Sequence, residues 1–229
     1  MRYDVIVGLR PVVDALKLLG VRHMLSGPIA TGIHGIGRLP LDVEIVAALL
    51  DDQAHALDTA LAPDYVRIAP ARLLRCDIQM PITVRQARPN GPARVAFGRA
   101  WMVVLDQVTN FTAAVASPED TVLDLLPALA ARPTPGSQLW YDVQSVLKVQ
   151  GAALDLDYLL ATTEAAGLGM VLQTLLSQRD TIPLSWDCPL DAEARWLAHV
   201  RRLTPSERFT LDRYDMAEAH TLVAGGYGS

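Results

Sequence analysis

The segment Ser117-Pro118-Glu119-Asp120 divides the chain into two halves of different character. Serine is a favoured N-cap, proline suits the first helical position, and two acids stabilise the positive end of the helix dipole, so a helix is predicted to begin here. Before this point strand patterns alternate with short helical ones; after it the patterns are helical, with proline and glycine breaks. We therefore predict an α/β half over 1–116 and a helical half over 117–229, with residues 224–229 frayed at the end.

Within the first half, the hydrophobic pattern predicts a helix, then a strand broken by Gly27-Pro28, and then a short helix with Pro28 in its first turn. Alternation of apolar and acidic residues predicts the next strand, and a later strand carries Asp77 in its middle. The predicted helices are 9–19, 52–61, 118–126, 137–150, 155–166, 168–178 and about 205–223, and the predicted strands are 21–26, 41–46, 73–82 and two or three between 93 and 116.

The composition excludes several classes of protein. Hydrophobic residues make up 51% of 229 residues and charged residues 20%, which is enough for a sizeable core and argues against intrinsic disorder. A net charge of −5 argues against a globally basic nucleic-acid binder. The two cysteines, Cys76 and Cys188, cannot build a disulfide framework or a Cys-x-x-Cys zinc site. No signal peptide and no apolar run of ~18 residues is visible, so we expect a cytoplasmic protein without a membrane partner.

Three acidic residues are candidates for a metal site. Asp42 and Glu44 lie two apart on a predicted strand, so both carboxylates point to the same face, and Asp77 lies on another predicted strand. Clustered carboxylates repel one another unless a cation separates them, and Mg²⁺ prefers such oxygens. Three acids on neighbouring strands beside a glycine-rich turn suit a two-metal phosphoryl-transfer site. The spacing alone favours two exposed acids on an edge strand and an ordinary surface Asp77 over a metal site.

The order of motifs resembles the nucleotidyltransferase superfamily, and within it the small bacterial proteins related to abortive-infection toxins. Their pattern is a strand ending in Gly-Ser, then Ala, then His-Gly-x-x-Arg-x-Thr-x-Asp-x-Asp, followed by a strand with a basic residue, an apolar residue and Asp. The second element matches Arg75-Cys76-Asp77, and Ser117-Pro-Glu-Asp with residues 140–159 looks like the same family's helical half. The first element is matched by Gly27, Ala30, His34, Gly35, Arg38 and Asp42.

This resemblance implies a mixed β-sheet core with flanking helices, followed by a helical half. It implies that the turn at Gly27 and Pro28 holds the phosphates of a nucleoside triphosphate (NTP), and that Asp42 and Glu44 bind Mg²⁺ or Mn²⁺. Asp77 would complete one metal site and help to activate the attacking hydroxyl. The nucleotidyl group would pass to a tRNA, a protein or a small molecule, and an antitoxin-like partner is expected. Arg38 either holds a phosphate or braces the acids across the turn.

The sequence departs from the family pattern at four places. Pro28 stands for the serine and offers neither a hydroxyl nor a backbone N–H, and Glu44 stands for the second aspartate. Pro40 stands for the threonine, and Leu125 stands for a lysine. Two hypotheses therefore remain open. One is a metal-dependent nucleotidyltransferase, and the other is a degenerate member that binds a nucleotide, a nucleic acid or a protein without turnover.

Overall fold

The computed structural model describes residues 3–37, 43–88, 91–132 and 136–179. The helix predicted over 205–223, the frayed end over 224–229 and Cys188 lie outside the described residues. The boundary between the two halves at residue 117 stays a prediction.

Helices and strands alternate up to residue 115, and helices follow. The helices are α1 (Tyr3–Leu18), α2 (Gly27–His34), α3 (Asp51–Leu61), α4 (Ala93–Arg99), α5 (Pro118–Ala131), α6 (Gln138–Gln150), α7 (Leu156–Ala165) and α8 (Gly169–Gln178), with a 3₁₀ turn at Gly151–Ala153. The strands are β1 (His23–Ser26), β2 (Val43–Ala47), β3 (Tyr65–Ala69), β4 (Arg72–Arg75), β5 (Met80–Gln86), β6 (Trp101–Asp106) and β7 (Phe111–Val115). Among these helices, none is long and apolar enough to cross a membrane.

The seven described strands form one mixed sheet in the order β3-β4-β5-β2-β1-β7-β6. β2 runs parallel to β5, and β1 runs parallel to β7, whereas the other neighbours are antiparallel. β1 and β2 therefore lie at the centre of the sheet, side by side, and the predicted mixed-sheet fold is confirmed.

One face of the sheet is the main core. α1 packs on this face together with α3, and its side chains Leu9, Val12 and Leu16 are fully buried. The strands contribute alternate residues such as Leu25 and Ile45, as the period of two in a strand requires. The intervening strand residues point to the other face, which we call the open face. It carries a smaller buried cluster that includes Met24 and Val46, and the polar side chains of the next subsection lie on it.

The helical half builds a second core. Leu126, Val143, Val146 and Leu172 are fully buried within it. α5 begins at Pro118 as predicted, and the Ser117 hydroxyl caps it by accepting a hydrogen bond from the Asp120 N–H at 3.1 Å. α2 packs on both α5 and α6, and so it joins the helical half to the sheet.

One prediction about the strands is wrong. The strand predicted over 73–82 is two strands, β4 and β5, joined by a turn over 76–79, which contains neither glycine nor proline. Gln79 adopts a positive φ of 52° there, and its side-chain amide donates to the Cys76 carbonyl at 2.6 Å. The two or three strands predicted between 93 and 116 are present as two, β6 and β7. The helix α4 precedes them, and its Ala93, Ala96 and Phe97 pack against the sheet on one helical face.

Candidate functional site

The turn from β1 into α2 requires glycine at position 27. Gly27 has a φ of +56°, which L side chains rarely adopt, and a Cβ there would lie 2.9 Å from Oε2 of Glu44. The turn therefore packs directly against the Glu44 side chain, so two residues predicted for the site lie together.

Glu44 lies on the open face of the sheet. It pairs with Ser26 on one side and with Thr83 on the other, whereas its neighbours Val43 and Ile45 are buried in the main core. Because side chains alternate along a strand, Glu44 points away from that core, and its side chain is 26% exposed. Asp42, two residues earlier, lies outside the described residues, as does Arg38.

Arg85 on β5 is the partner of Glu44. Its Nε donates to Glu44 Oε1 at 2.8 Å, and its Nη2 lies 2.6 Å from both carboxylate oxygens of Asp124 on α5. Asp124 also accepts a hydrogen bond from the Ser26 hydroxyl at 2.8 Å. Burial lowers the pKa of Arg85, but Asp124 and Glu44 outweigh this and raise it overall, so the guanidinium is charged. A cation thus lies beside Glu44 on the neighbouring strand.

Sequence reasoning missed Arg85 and Asp124. The alternation along β5 is the sequence signal for Arg85. Ile82 and Val84 are buried on one face of this strand, so Thr83 and Arg85 lie on the other. Using that signal requires knowing that β5 is the parallel neighbour of β2, which no local pattern shows. Leu125 stands where the family pattern has a lysine. The residue before it, Asp124, is the one whose side chain bonds to Arg85 and Ser26 on the open face.

The fold does not place Asp77 near Glu44. It lies in the turn between β4 and β5 with its side chain 57% exposed, and its carboxylate pairs with the Arg75 guanidinium at 2.7 and 3.0 Å. This pairing lowers the pKa of Asp77. Arg75 also donates to the Val7 carbonyl of α1 and to the Tyr65 hydroxyl, so the pair lies on the core side of the sheet, opposite Glu44. The expectation that the predicted acids share a cleft therefore fails for Asp77 among the described residues.

Pro28 occupies the first turn of α2, as predicted, and supplies no N–H. Ser26, just before Gly27, does not replace the missing donor, because its hydroxyl is already donated to Asp124. The turn retains Gly27 but has lost a hydroxyl and an amide.

His34 is buried, and its contacts are those of a residue that stabilises the fold. Its side chain is 1% exposed, its Nε2–H donates to the Ala116 carbonyl at 2.6 Å, and its ring meets Trp101 edge-on with centroids 5.0 Å apart. Burial lowers the pKa of His34 to about 4, so the ring is neutral at pH 7. A neutral, buried histidine that bonds a backbone carbonyl fits helix packing and not catalysis.

The sequence matches no protein-family model and no curated protein. The chain is similar in structure to the antibiotic-resistance factor ANT(2'')-Ia. Its solution structure has a TM-score of 0.53 and 10% identity, with 76% of this chain and 98% of that chain covered. A crystal structure of ANT(2'')-Ia in complex with adenylyl-2''-tobramycin gives the same score and identity over 71% of this chain and 98% of that chain. An antigenic nucleotidyltransferase-like protein from Paracoccidioides brasiliensis has 16% identity, a TM-score of 0.48, and coverage of 77% and 94%.

The chain has the nucleotidyltransferase fold. At this level of identity the likeness concerns the backbone, and the chemistry has to be argued from the side chains of this chain.

The side chains beside the glycine turn fit one divalent cation better than two. Oε2 of Glu44 has no hydrogen-bond partner among the described residues, so one carboxylate oxygen beside Gly27 is open to a ligand. Mg²⁺ is commonly held by one or two carboxylates together with substrate phosphates, and Asp42 would be the second. Among the described residues no further carboxylate is available as a third ligand, because Asp77 lies elsewhere and Asp124 is bonded to Arg85 and Ser26. Within the described ranges no three His, Cys, Asp or Glu side chains form a metal cluster.

Proposed function

We propose that the protein transfers a nucleotidyl group from an NTP to a hydroxyl-bearing acceptor, with one Mg²⁺ or Mn²⁺ held by Asp42 and Glu44. The observation that carries this proposal is the open Oε2 of Glu44 beside the glycine turn, on a nucleotidyltransferase fold. In the reaction the acceptor oxygen bonds to the α-phosphorus and releases its proton to solvent water. The bond between the α-phosphorus and the α,β-bridging oxygen breaks, and pyrophosphate leaves with the electron pair. Bound Mg²⁺ would supply positive charge against the triphosphate.

The residues of the cleft have separate parts in this proposal. Gly27 lets the triphosphate approach the backbone closely, since it has no Cβ. Glu44 holds the metal through Oε2 while its Oε1 remains bonded to Arg85. Asp77 has no part, because its carboxylate is engaged by Arg75 on the other side of the sheet. The third carboxylate of the pattern is therefore left out of the proposed set.

The acceptor is proposed only as a class. ANT(2'')-Ia is found with adenylyl-2''-tobramycin, which shows that this fold in that protein accommodates an adenylylated small molecule. A tRNA and a protein acceptor are the alternatives, and an antitoxin-like partner stays a prediction.

The test is transfer of label from each of the four α-³²P NTPs in the presence of Mg²⁺ or Mn²⁺. Total tRNA, a protein extract and a panel of hydroxylated small molecules serve as acceptors in parallel. We expect labelled product with the wild type and none with Glu44→Gln. Glu164→Gln is the control, because Glu164 is an exposed acid on α7 in the helical half. Label transfer that survives Glu44→Gln would contradict the assigned site.

A second candidate function is nucleotide binding without turnover. It is favoured by the loss of donors at Pro28 and by the ion pair between Arg85 and Glu44, which neutralises a carboxylate that the chemistry needs. This candidate predicts NTP binding by the wild type with no labelled product under any acceptor.

A further inference from the structure

The Arg85 guanidinium is held on one edge and open on another. Its Nε and Nη2 are bonded to Glu44 and Asp124, whereas its Nη1 has no hydrogen-bond partner among the described residues. The Arg85 side chain is 43% exposed, and from this we infer that the unbonded edge can be reached by a ligand. Two N–H groups are therefore available for a ligand.

The bound edge fixes the direction of the open one. A guanidinium is planar, so contacts with two carboxylates define the plane in which Nη1 lies. Asp124 is itself fixed by the Ser26 hydroxyl, which belongs to the strand that leads into the glycine turn. A donor that is already oriented loses little conformational freedom when it binds.

Arg85 is separated from the glycine turn by only the Glu44 carboxylate. Oε1 of Glu44 contacts Arg85, and Oε2 lies 2.9 Å from where a Gly27 Cβ would be. The turn has no donor at position 28, because that residue is proline. Planar, charged N–H donors are well suited to phosphate oxygens.

We propose that Arg85 is the phosphate-binding residue of this cleft and replaces the donors that Pro28 lacks. The inference rests on the proposed function, because it assigns a phosphate contact within the same site. Nη1 donates to a non-bridging oxygen of the triphosphate, and Glu44 and Asp124 act as positioning residues for it. With one positive and two negative charges in this cluster, the triphosphate binds only together with a divalent cation.

The experiment is titration calorimetry of inorganic triphosphate and of ATP, each with and without Mg²⁺, on the full chain. The variants are Arg85→Gln, which removes the charge, and Arg85→Lys, which keeps the charge but loses the planar fork. The control is Arg10→Gln. Arg10 is 42% exposed and also ion-paired, with Asp14, but it lies on α1 across the sheet. Thermal melts establish that each variant is folded.

We expect Arg85→Gln to weaken Mg²⁺-triphosphate binding by about ten- to hundred-fold, since a hydrogen bond to a charged group is lost. Arg85→Lys should bind with intermediate affinity, and Arg10→Gln like the wild type. Equal affinity in wild type and Arg85→Gln would overturn the inference, as would binding lost equally in Arg10→Gln. If Arg85→Gln does not fold, Arg85→Lys with unchanged affinity overturns it.

The outcomes separate this inference from the proposed function. If the wild type transfers nucleotide but Arg85→Gln binds triphosphate normally, only the role of Arg85 is wrong. If the wild type binds neither probe even with Mg²⁺, both are wrong.

Discussion

Glu44 and Arg85 lie on adjacent parallel strands and are joined by a 2.8 Å hydrogen bond from Nε to Oε1. The two oxygens of the Glu44 carboxylate therefore differ: Oε1 is bonded to Arg85, whereas Oε2 lies beside Gly27 without a hydrogen-bond partner among the described residues. This division distinguishes the cleft from one in which three acids surround two metals. Because Oε1 and Oε2 have different neighbours, metal binding, the glycine turn and the role of Arg85 can each be tested with a separate variant.

Added Mn²⁺ should raise the melting temperature of the wild type. A ligand at ten times its dissociation constant stabilises a folded protein by about 1.4 kcal/mol, which corresponds to a shift of a few degrees for a chain of this size. The shift should shrink in Asp42→Asn and in Glu44→Gln, because each variant removes a ligand. It should remain in Asp77→Asn, whose carboxylate is paired with Arg75. Differential scanning fluorimetry at millimolar Mn²⁺ measures all four, and a shift that depends on Asp77 would restore the site predicted from the sequence.

Gly27→Ala should destabilise the protein by more than its backbone conformation alone explains. A residue with a side chain at positive φ costs about 1–2 kcal/mol. At Gly27 the added Cβ also meets Glu44 Oε2 at 2.9 Å, which forces the carboxylate to move. Gly20→Ala is the matched control, since Gly20 has a φ of +67° with nothing within 4 Å of its Cβ position. Urea unfolding should show the larger loss at Gly27, and equal losses would show that the turn does not press on Glu44.

His34 should make the free energy of unfolding depend on pH. Its pKa is about 4 in the folded state against 6.5 for an ordinary histidine, so the unfolded chain binds the proton more readily. Stability is therefore fully present above pH 6.5 and falls by about 3 kcal/mol as the pH drops from there to 4. His34→Gln keeps an N–H donor for the Ala116 carbonyl but does not titrate. Urea unfolding from pH 7 to pH 4.5 should give a steeper decline for the wild type, and parallel curves would contradict the burial of a neutral ring.

Pro28→Ser should strengthen NTP binding and speed any transfer. The change supplies a hydroxyl and a backbone N–H at the phosphate turn, and a well-placed donor contributes up to ~10²-fold or more in the rate. Pro92→Ser is the control, because Pro92 precedes α4 away from this turn. Binding is measured by calorimetry and transfer by labelled NTP. No gain in either quantity would mean that the phosphates do not contact this turn.

Local sequence patterns predicted the parts of the fold that depend on local chemistry. The capping residues at Ser117 predicted α5, and the alternation around Glu44 predicted β2 with the acid on the open face. The motif around Gly27 predicted a turn, where the structure has a positive φ. These features are encoded within a few residues, which is why sequence alone reaches them.

The features that sequence patterns did not predict depend on contacts between residues of different strands and helices. Asp77 was predicted on a strand because its turn contains no glycine or proline, and that turn is stabilised instead by Gln79 and by the Arg75 pair. Arg85 and Asp124 meet Glu44 only because β5 is the parallel neighbour of β2 and α5 packs near it. The position of Glu44 on the open face was predictable, but its contact with Arg85, and through it with Asp124, was not.

Anomalous diffraction from crystals grown with Mn²⁺ and a non-hydrolysable ATP analogue would locate both the metal and the triphosphate. We expect one Mn²⁺ peak within coordination distance of Glu44 Oε2 and Asp42, with the triphosphate in contact with Nη1 of Arg85. A Mn²⁺ peak at Asp77 instead of Glu44, or a triphosphate bound without contact to Arg85, would contradict the proposed site.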